Sequence, residues 1–127
     1  MYDVDHYKET ELTITLQPID ICRELPFSLG CAVKYILRAG HKTDKRDTDL
    51  LKAIDYLKDF KRSIASKGYC YLSDLGNSSR AKLAVEEYCK RQRYISMLFH
   101  PNLEPKIYTD EIDSVITEIL KEINEQK

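Results

Sequence analysis

The sequence predicts an all-α protein: a small helical bundle built on an αα-hairpin, preceded by a short extended N-terminal arm. Apolar residues recur three and four positions apart in several long segments, which is the spacing of a helix face. A short polar loop joins two of these segments, as is typical of antiparallel helix neighbours. The one alternating stretch, residues 12–16, has no second strong strand to pair with, which argues against a sheet protein.

Composition predicts a soluble single domain over residues 1–127. Hydrophobic residues make up 43% and charged residues 32% of the 127 positions, and the net charge of −1 argues against general nucleic-acid binding. The four cysteines and three histidines are scattered without ligand spacing, so we expect reduced thiols and no metal site. No signal-peptide pattern or membrane-spanning run is present, and we expect a cytoplasmic protein with no membrane partner.

The first elements follow from proline and capping residues. Pro18 should open a short helix through Cys22 that ends before Pro26. Ser28 is expected to cap the next helix and Gly40 to close it. Residues 12–16 would form the arm, laid across a helix or paired with a second copy of the chain.

The second helix of the hairpin is predicted to begin at a cap formed by Asp47 or Thr48 and to end at Gly68. Its apolar stripe comprises Leu50, Leu51, Ile54, Leu57, Phe60 or Lys61, and Ile64. Residues 69–78 are predicted to be an irregular connection. A third helix should run from about 79 to 99, where His100 and Pro101 stop it. Its inner side would carry Leu83 or Ala84, Tyr88, Arg91, Ile95 and Leu98.

The last helix should begin at Thr109 or Asp110 and has a broad aliphatic face. A small domain offers few partners to cover that face, so we expect a homo-oligomer; the alternative is that the face completes the intramolecular core. Glu118 and Glu122 on this helix, spaced i, i+4, are interpreted as surface residues rather than a metal pair. A second basic cluster, residues 80–93, is interpreted as a charged outer helix face.

A row of cations is the clearest functional signal. Lys34, Arg38 and either His41 or Lys42 recur at i, i+4 and i+7 or i+8, so they lie on one side of a helix. Such a row carries mutual repulsion of a few tenths of a kcal/mol per pair. It therefore predicts an anionic ligand.

Two blocks around this row resemble the signature of the SaV-like family of bacteriophage proteins. They are residues 30–42 (GCAVKYI-x-RAG-x-K) and 49–57 (DL-x-KA-x-x-YL). Residues 5–7 and 18–20 are similar to that family's upstream elements. The resemblance covers about residues 3–60 and leaves residues 66–127 unassigned. Cys31 departs from the pattern, because the family commonly has Asn there, and any polar contact of that amide is lost.

The resemblance implies a phage protein made in the cytoplasm of a bacterial host. One branch of the family is a nucleotide kinase that phosphorylates deoxynucleoside monophosphates without a P-loop, and another sensitises infection to a host abortive-infection system. The leading hypothesis is therefore a phage nucleotide-binding protein, similar to a nucleoside monophosphate kinase. The alternatives are a non-enzymatic protein that interacts with a host defence component, and a sponge that sequesters nucleotide signals.

The candidate ligand-binding residues come from the hairpin and the arm. Lys34, Arg38, Lys42 and Lys52 would hold a phosphate. His6 and Tyr7 would add a donor and a stacking face, and Asp20 or Asp49 would orient a cation or a hydroxyl.

A structural alternative stays open, in which Lys34 and Arg38 form a solvated face and Arg38 pairs with Asp49 or Asp55. Asp49 would then mainly stabilise its helix dipole. Tyr35 and Tyr56 are predicted to pack within the hairpin. The sequence identifies no catalytic residue and no P-loop. No cofactor is evident, and Mg²⁺ is expected only if the protein is a kinase.

Overall fold

The computed structural model describes residues 15–39, 41, 45–99 and 105–125. Seven helices and one two-stranded sheet lie within these ranges. In chain order they are α1 (Pro18–Cys22), α2 (Phe27–Arg38), α3 (Arg46–Ile64), β1 (Tyr69–Tyr71), α4 (Ser73–Asn77), α5 (Ser79–Arg91), α6 (Arg93–Phe99), β2 (Lys106–Tyr108) and α7 (Thr109–Glu125). The all-α class is confirmed. No helix in the described part of the chain is both long and apolar enough to cross a bilayer.

The predicted hairpin is the centre of the fold. Helices α2 and α3 make the most extensive contact of any two elements, α1 packs on α2, and α7 packs on α3. The apolar stripe of α3 is buried as predicted except at Leu51, which is 48% exposed. Residues 12–14 of the predicted N-terminal arm lie outside the described residues, as does Gly40.

The predicted helix caps are wrong for both hairpin helices. Pro26 occupies the N-cap position of α2, and Ser28 lies inside the helix, where its hydroxyl donates to Asp59 on α3. Helix α3 begins at Arg46, after Lys45 at the cap position, so neither Asp47 nor Thr48 caps it. The Ser28 hydroxyl thus links the two helices of the hairpin instead of satisfying a helix end.

A small sheet replaces part of the predicted irregular connection. β1 pairs with β2 in antiparallel register, with Cys70 opposite Ile107. Gly68 adopts a φ of 79°, a left-handed conformation that suits glycine, and its carbonyl accepts from Thr109 N at 3.1 Å. Strands of three residues are too short to show an alternating pattern, which explains why the sequence did not predict them.

The predicted third helix is in fact two helices, which meet at Gln92. This residue has extended backbone angles, and its side-chain oxygen accepts a hydrogen bond from Tyr94 N at 2.6 Å, which caps α6. Arg91, the last residue of α5, is exposed rather than on the inner side. Leu83 is also exposed, and its neighbour Ala84 is buried.

The aliphatic face of α7 is buried within the chain, at Ile112, Val115, Ile116, Ile119 and Ile123. It therefore completes the intramolecular core, which was the alternative to a homo-oligomer. The homo-oligomer stays a prediction, but it is no longer needed to cover this face. Glu122 and Glu118 are half-buried rather than solvent-facing. Glu122 pairs with Arg46 and accepts from the Tyr94 hydroxyl at 2.5 Å, while Glu118 pairs with Arg93.

Candidate anion-binding site

The two hairpin helices present matched side chains along one edge. At one end, Ser28 of α2 meets Asp59 of α3. In the middle, the rings of Tyr35 and Tyr56 stack with centroids 5.9 Å apart and planes inclined by 10°. This stack confirms the prediction that the two tyrosines pack within the hairpin.

Three cations lie along this edge, and we call Lys34, Arg38 and Lys52 the hairpin cation cluster. The Lys34 ammonium is 5.5 Å from the centroid of the Tyr35 ring, and the Lys52 ammonium is 5.4 Å from the same centroid. Cations from two helices thus converge on one ring. Attraction to an exposed ring is worth about 0.5–1 kcal/mol and offsets part of their repulsion.

Arg38 forms an ion pair across the hairpin with Asp49, at 3.7 Å between Nε and Oδ2. This is the pairing that the structural alternative predicted, with Asp49 and not with Asp55. The Arg38 side chain nevertheless remains 41% exposed. It can therefore contact a ligand while it still faces Asp49.

The Asp49 carboxylate is buried, with the residue only 3% exposed. Its Oδ2 atom accepts no hydrogen bond within the described part of the chain. A separation of 3.7 Å from Arg38 is too long for a hydrogen bond, so this oxygen retains the capacity to accept one. Asp49 also lies in the first turn of α3, where negative charge is favourable.

A groove of about 620 Å³ runs along the other side of α2, between it and α1, and we call it the α1–α2 groove. Its lining is mainly apolar and includes Ile19, Cys22, Leu25, Phe27 and Cys31. Lys34 also lines it, so this one lysine belongs to both the groove and the hairpin cation cluster. Phe27 is 77% exposed, and its ring meets that of Tyr56 edge-on at 6.3 Å.

The helices that form the groove are unusually close. A Cβ atom placed on Gly30 would lie 3.0 Å from the carbonyl oxygen of Cys22, so glycine permits this approach of α2 to α1. Burial, and after it the nearby Cys31 thiol, raise the pKa of the Cys22 thiol to about 11. All four cysteines are free thiols, as predicted.

Asp20 pairs with Arg80 and not with the hairpin cation cluster. Its carboxylate is buried and accepts from Arg80 Nε on α5 at 2.8 Å and from the backbone N–H of Gln17 at 2.8 Å. Its structural contacts are those of a residue that fixes α1 to α5. His6, Tyr7 and Lys42 lie outside the described residues, so the structure leaves their predicted roles untested.

The described residues contain no clustered metal ligands, and the second basic cluster is paired with carboxylates. Among the described residues, no group of three or more His, Cys, Asp or Glu side chains could hold a metal ion. The expectation of Mg²⁺ if the protein is a kinase stays a prediction. In the second basic cluster, Arg80, Lys90, Arg91 and Arg93 each pair with a carboxylate.

Sequence reasoning missed the groove and the part that Phe27 plays in it. Phe27 follows Pro26 directly and shares a helix stripe with Cys31 and Lys34, at i, i+4 and i+7. A large aromatic residue on the same stripe as the cations was the available signal. The walls contributed by α1 were not predictable, because they depend on how the short helix folds back.

Comparison with known proteins adds one partial match. A family model described as a protein of unknown function, DUF3310, matches residues 3–58, which is less than half of the chain. The matched segment contains α1, α2 and most of α3, and so includes Lys34, Arg38, Asp49 and Lys52. No curated protein and no solved structure matches the chain.

Proposed function

We propose that this chain is a nucleotide-binding protein whose hairpin cation cluster holds the phosphate. The observation that carries the proposal is the convergence of Lys34 and Lys52, from two different helices, on the Tyr35 ring beside the exposed Arg38 guanidinium. A phosphate dianion accepts hydrogen bonds from ammonium and guanidinium groups together, and guanidinium offers a forked donor. The buried Asp49 carboxylate faces Arg38 across the hairpin and supports the placement of its guanidinium beside the two lysines.

The proposal is one of binding rather than catalysis. The Asp49 carboxylate beside the cations is buried and paired with Arg38. A carboxylate in this position is better placed to orient a binding group than to transfer a proton at an exposed substrate. A kinase-like activity and a phage origin are predictions that rest on the resemblance. The same holds for a sponge and for interaction with a host defence component.

A thermal-shift screen with deoxynucleoside mono- and triphosphates and cyclic nucleotides tests the proposal. We expect at least one nucleotide to raise the melting temperature of the wild-type chain. The shift should disappear in Lys34→Ala, because a charge-assisted hydrogen bond contributes about 1.5–3 kcal/mol. Lys58→Ala is the matched control, since Lys58 is an exposed lysine of α3 on the side away from Lys52. No shift with any nucleotide would contradict the proposal.

The competing roles separate in a second step. Incubation with a nucleoside monophosphate, a triphosphate donor and Mg²⁺ gives a phosphorylated product if the protein is a kinase. Unaltered nucleotide recovered from denatured protein instead supports sequestration. Co-purification with a host protein, without any nucleotide effect, supports the interaction hypothesis.

A further inference from the structure

We infer that the α1–α2 groove is the subsite for the nucleobase, with Phe27 as the stacking residue and Lys34 as the link to the phosphate. The inference rests on the proposed function and extends it, because it requires a ligand with both a planar body and an anionic end. Such a ligand is a nucleotide rather than a bare phosphate or polyphosphate.

Apolar side chains are exposed at the groove. Phe27 is 77% and Ile19 is 48% exposed, and both side chains line the same groove. Apolar surface that borders a concave site is a common mark of a ligand-binding cleft. The groove volume of about 620 Å³ is in the range of small-molecule sites, about 300–1,000 Å³.

The side chains along α2 change from aromatic to cationic in the order of the sequence. Phe27, Cys31 and Lys34 line the groove in sequence, and Arg38 lies one turn beyond Lys34. Lys34 lies seven positions after Phe27 on the helix, which is roughly 10 Å along the axis. A mononucleotide, with one sugar between base and phosphate, can span these two residues with its base toward Phe27.

The groove is chemically complementary to a nucleobase. The Phe27 and Tyr56 rings form a T-shaped contact, and the 77% exposure of Phe27 leaves ring surface on which a base can stack. Gln17 and Arg23 also line the groove and supply polar groups for the edge of a base. The groove therefore offers an aromatic face, a few polar groups and a cation at one end.

The test compares ligands with and without a base. Thymidine monophosphate, deoxyribose 5-phosphate and inorganic phosphate are titrated calorimetrically into wild-type protein, Phe27→Ala and Phe27→Tyr. Stacking of a base contributes about 1–3 kcal/mol, so Phe27→Ala should bind the nucleotide at least about fivefold more weakly. Binding of deoxyribose 5-phosphate should be unchanged, and Phe27→Tyr should retain nucleotide binding. Leu120→Ala, at an exposed leucine of α7, is the matched control.

Alkylation of Cys31 gives an independent readout. Because Cys31 lines the groove, the nucleotide should slow its reaction with iodoacetamide, as read by peptide mass spectrometry, whereas deoxyribose 5-phosphate should not.

Two outcomes would overturn the inference. If Lys34→Ala abolishes nucleotide binding and Phe27→Ala has no effect, the phosphate site stands and the base lies elsewhere. If wild-type protein sediments as a dimer and Phe27→Ala as a monomer, the groove is covered by a second copy of the chain. Absence of nucleotide binding in wild-type protein would refute the proposed function itself.

Discussion

The Asp49 carboxylate lies in the first turn of α3, with Arg38 across the hairpin as its ion-pair partner. Removal of one member of a buried pair leaves an uncompensated charge, which costs more than the pair contributes. Here the arginine is 41% exposed, so solvent screens part of that cost. The same two residues therefore carry a structural role and, with Lys34 and Lys52, the proposed binding role.

Arg38→Ala should lower the free energy of unfolding by about 1–3 kcal/mol, less than the loss typical of a fully buried pair. The double variant Arg38→Ala with Asp49→Asn should recover most of that loss, because the buried charge is then absent. Urea denaturation measures both. Arg62→Ala is the control, since its i, i+3 pair with Asp59 is well exposed and should contribute less than about 1 kcal/mol. A double variant less stable than Arg38→Ala would contradict this role of Asp49.

At the scale of elements, the close contact between α1 and α2 shapes the groove. It depends on Gly30, where a Cβ would approach a backbone oxygen of α1 to 3.0 Å. Backbone cannot move aside as a flexible side chain can, so α1 itself would have to shift. The groove wall and the stability of this end of the fold are thus set by one glycine.

Gly30→Ala should therefore lower the melting temperature, even though alanine favours a helix over glycine by about 1 kcal/mol. Gly76→Ala is the matched control, because Gly76 lies in a helix with nothing within 4 Å of the added Cβ. This variant should be neutral or more stable than the wild type. Thermal unfolding followed by circular dichroism compares the two, and a more stable Gly30→Ala would refute the proposed constraint.

The long helices were predictable because their apolar spacing is repeated over several turns. The starts of α2 and α3 were not, because proline and lysine at their cap positions give no side-chain capping signal. The break at Gln92 was also missed, since the apolar pattern continues across it. Lys34, Arg38, Lys52 and Asp49 were predicted as site residues and lie together, whereas Asp20 is committed to Arg80.

Across the whole molecule, a polar network joins the start of α3 to the C-terminal half. Arg46 at the beginning of α3 pairs with Glu122 of α7, and Glu122 accepts the hydroxyl of Tyr94 on α6. Burial and then the hydrogen bond to Glu122 raise the pKa of the Tyr94 hydroxyl, while Arg93 and Arg46 oppose this change. The network therefore favours the neutral tyrosine.

This raised pKa predicts a loss of stability at alkaline pH. Below about pH 10, the tyrosine is neutral in the folded and in the unfolded chain, and its full contribution to the free energy of unfolding is present. Above that pH the unfolded chain ionises first, so the free energy of unfolding falls as pH rises. Urea denaturation at pH 8 and pH 11 should show a smaller fall for Tyr94→Phe than for the wild type. Equal falls would contradict the role of this network.

The most direct measurement is a calorimetric titration of a deoxynucleoside monophosphate into three proteins. They are the wild type, Lys34→Ala with Lys52→Ala, and the charge-matched control Lys58→Ala with Lys82→Ala. If the hairpin cation cluster holds the phosphate, the wild type and the control bind alike. The first double variant then binds at least about tenfold more weakly, since each charged contact contributes about 1.5–3 kcal/mol. Equal loss in both double variants, or no loss in either, would contradict a phosphate site on this hairpin.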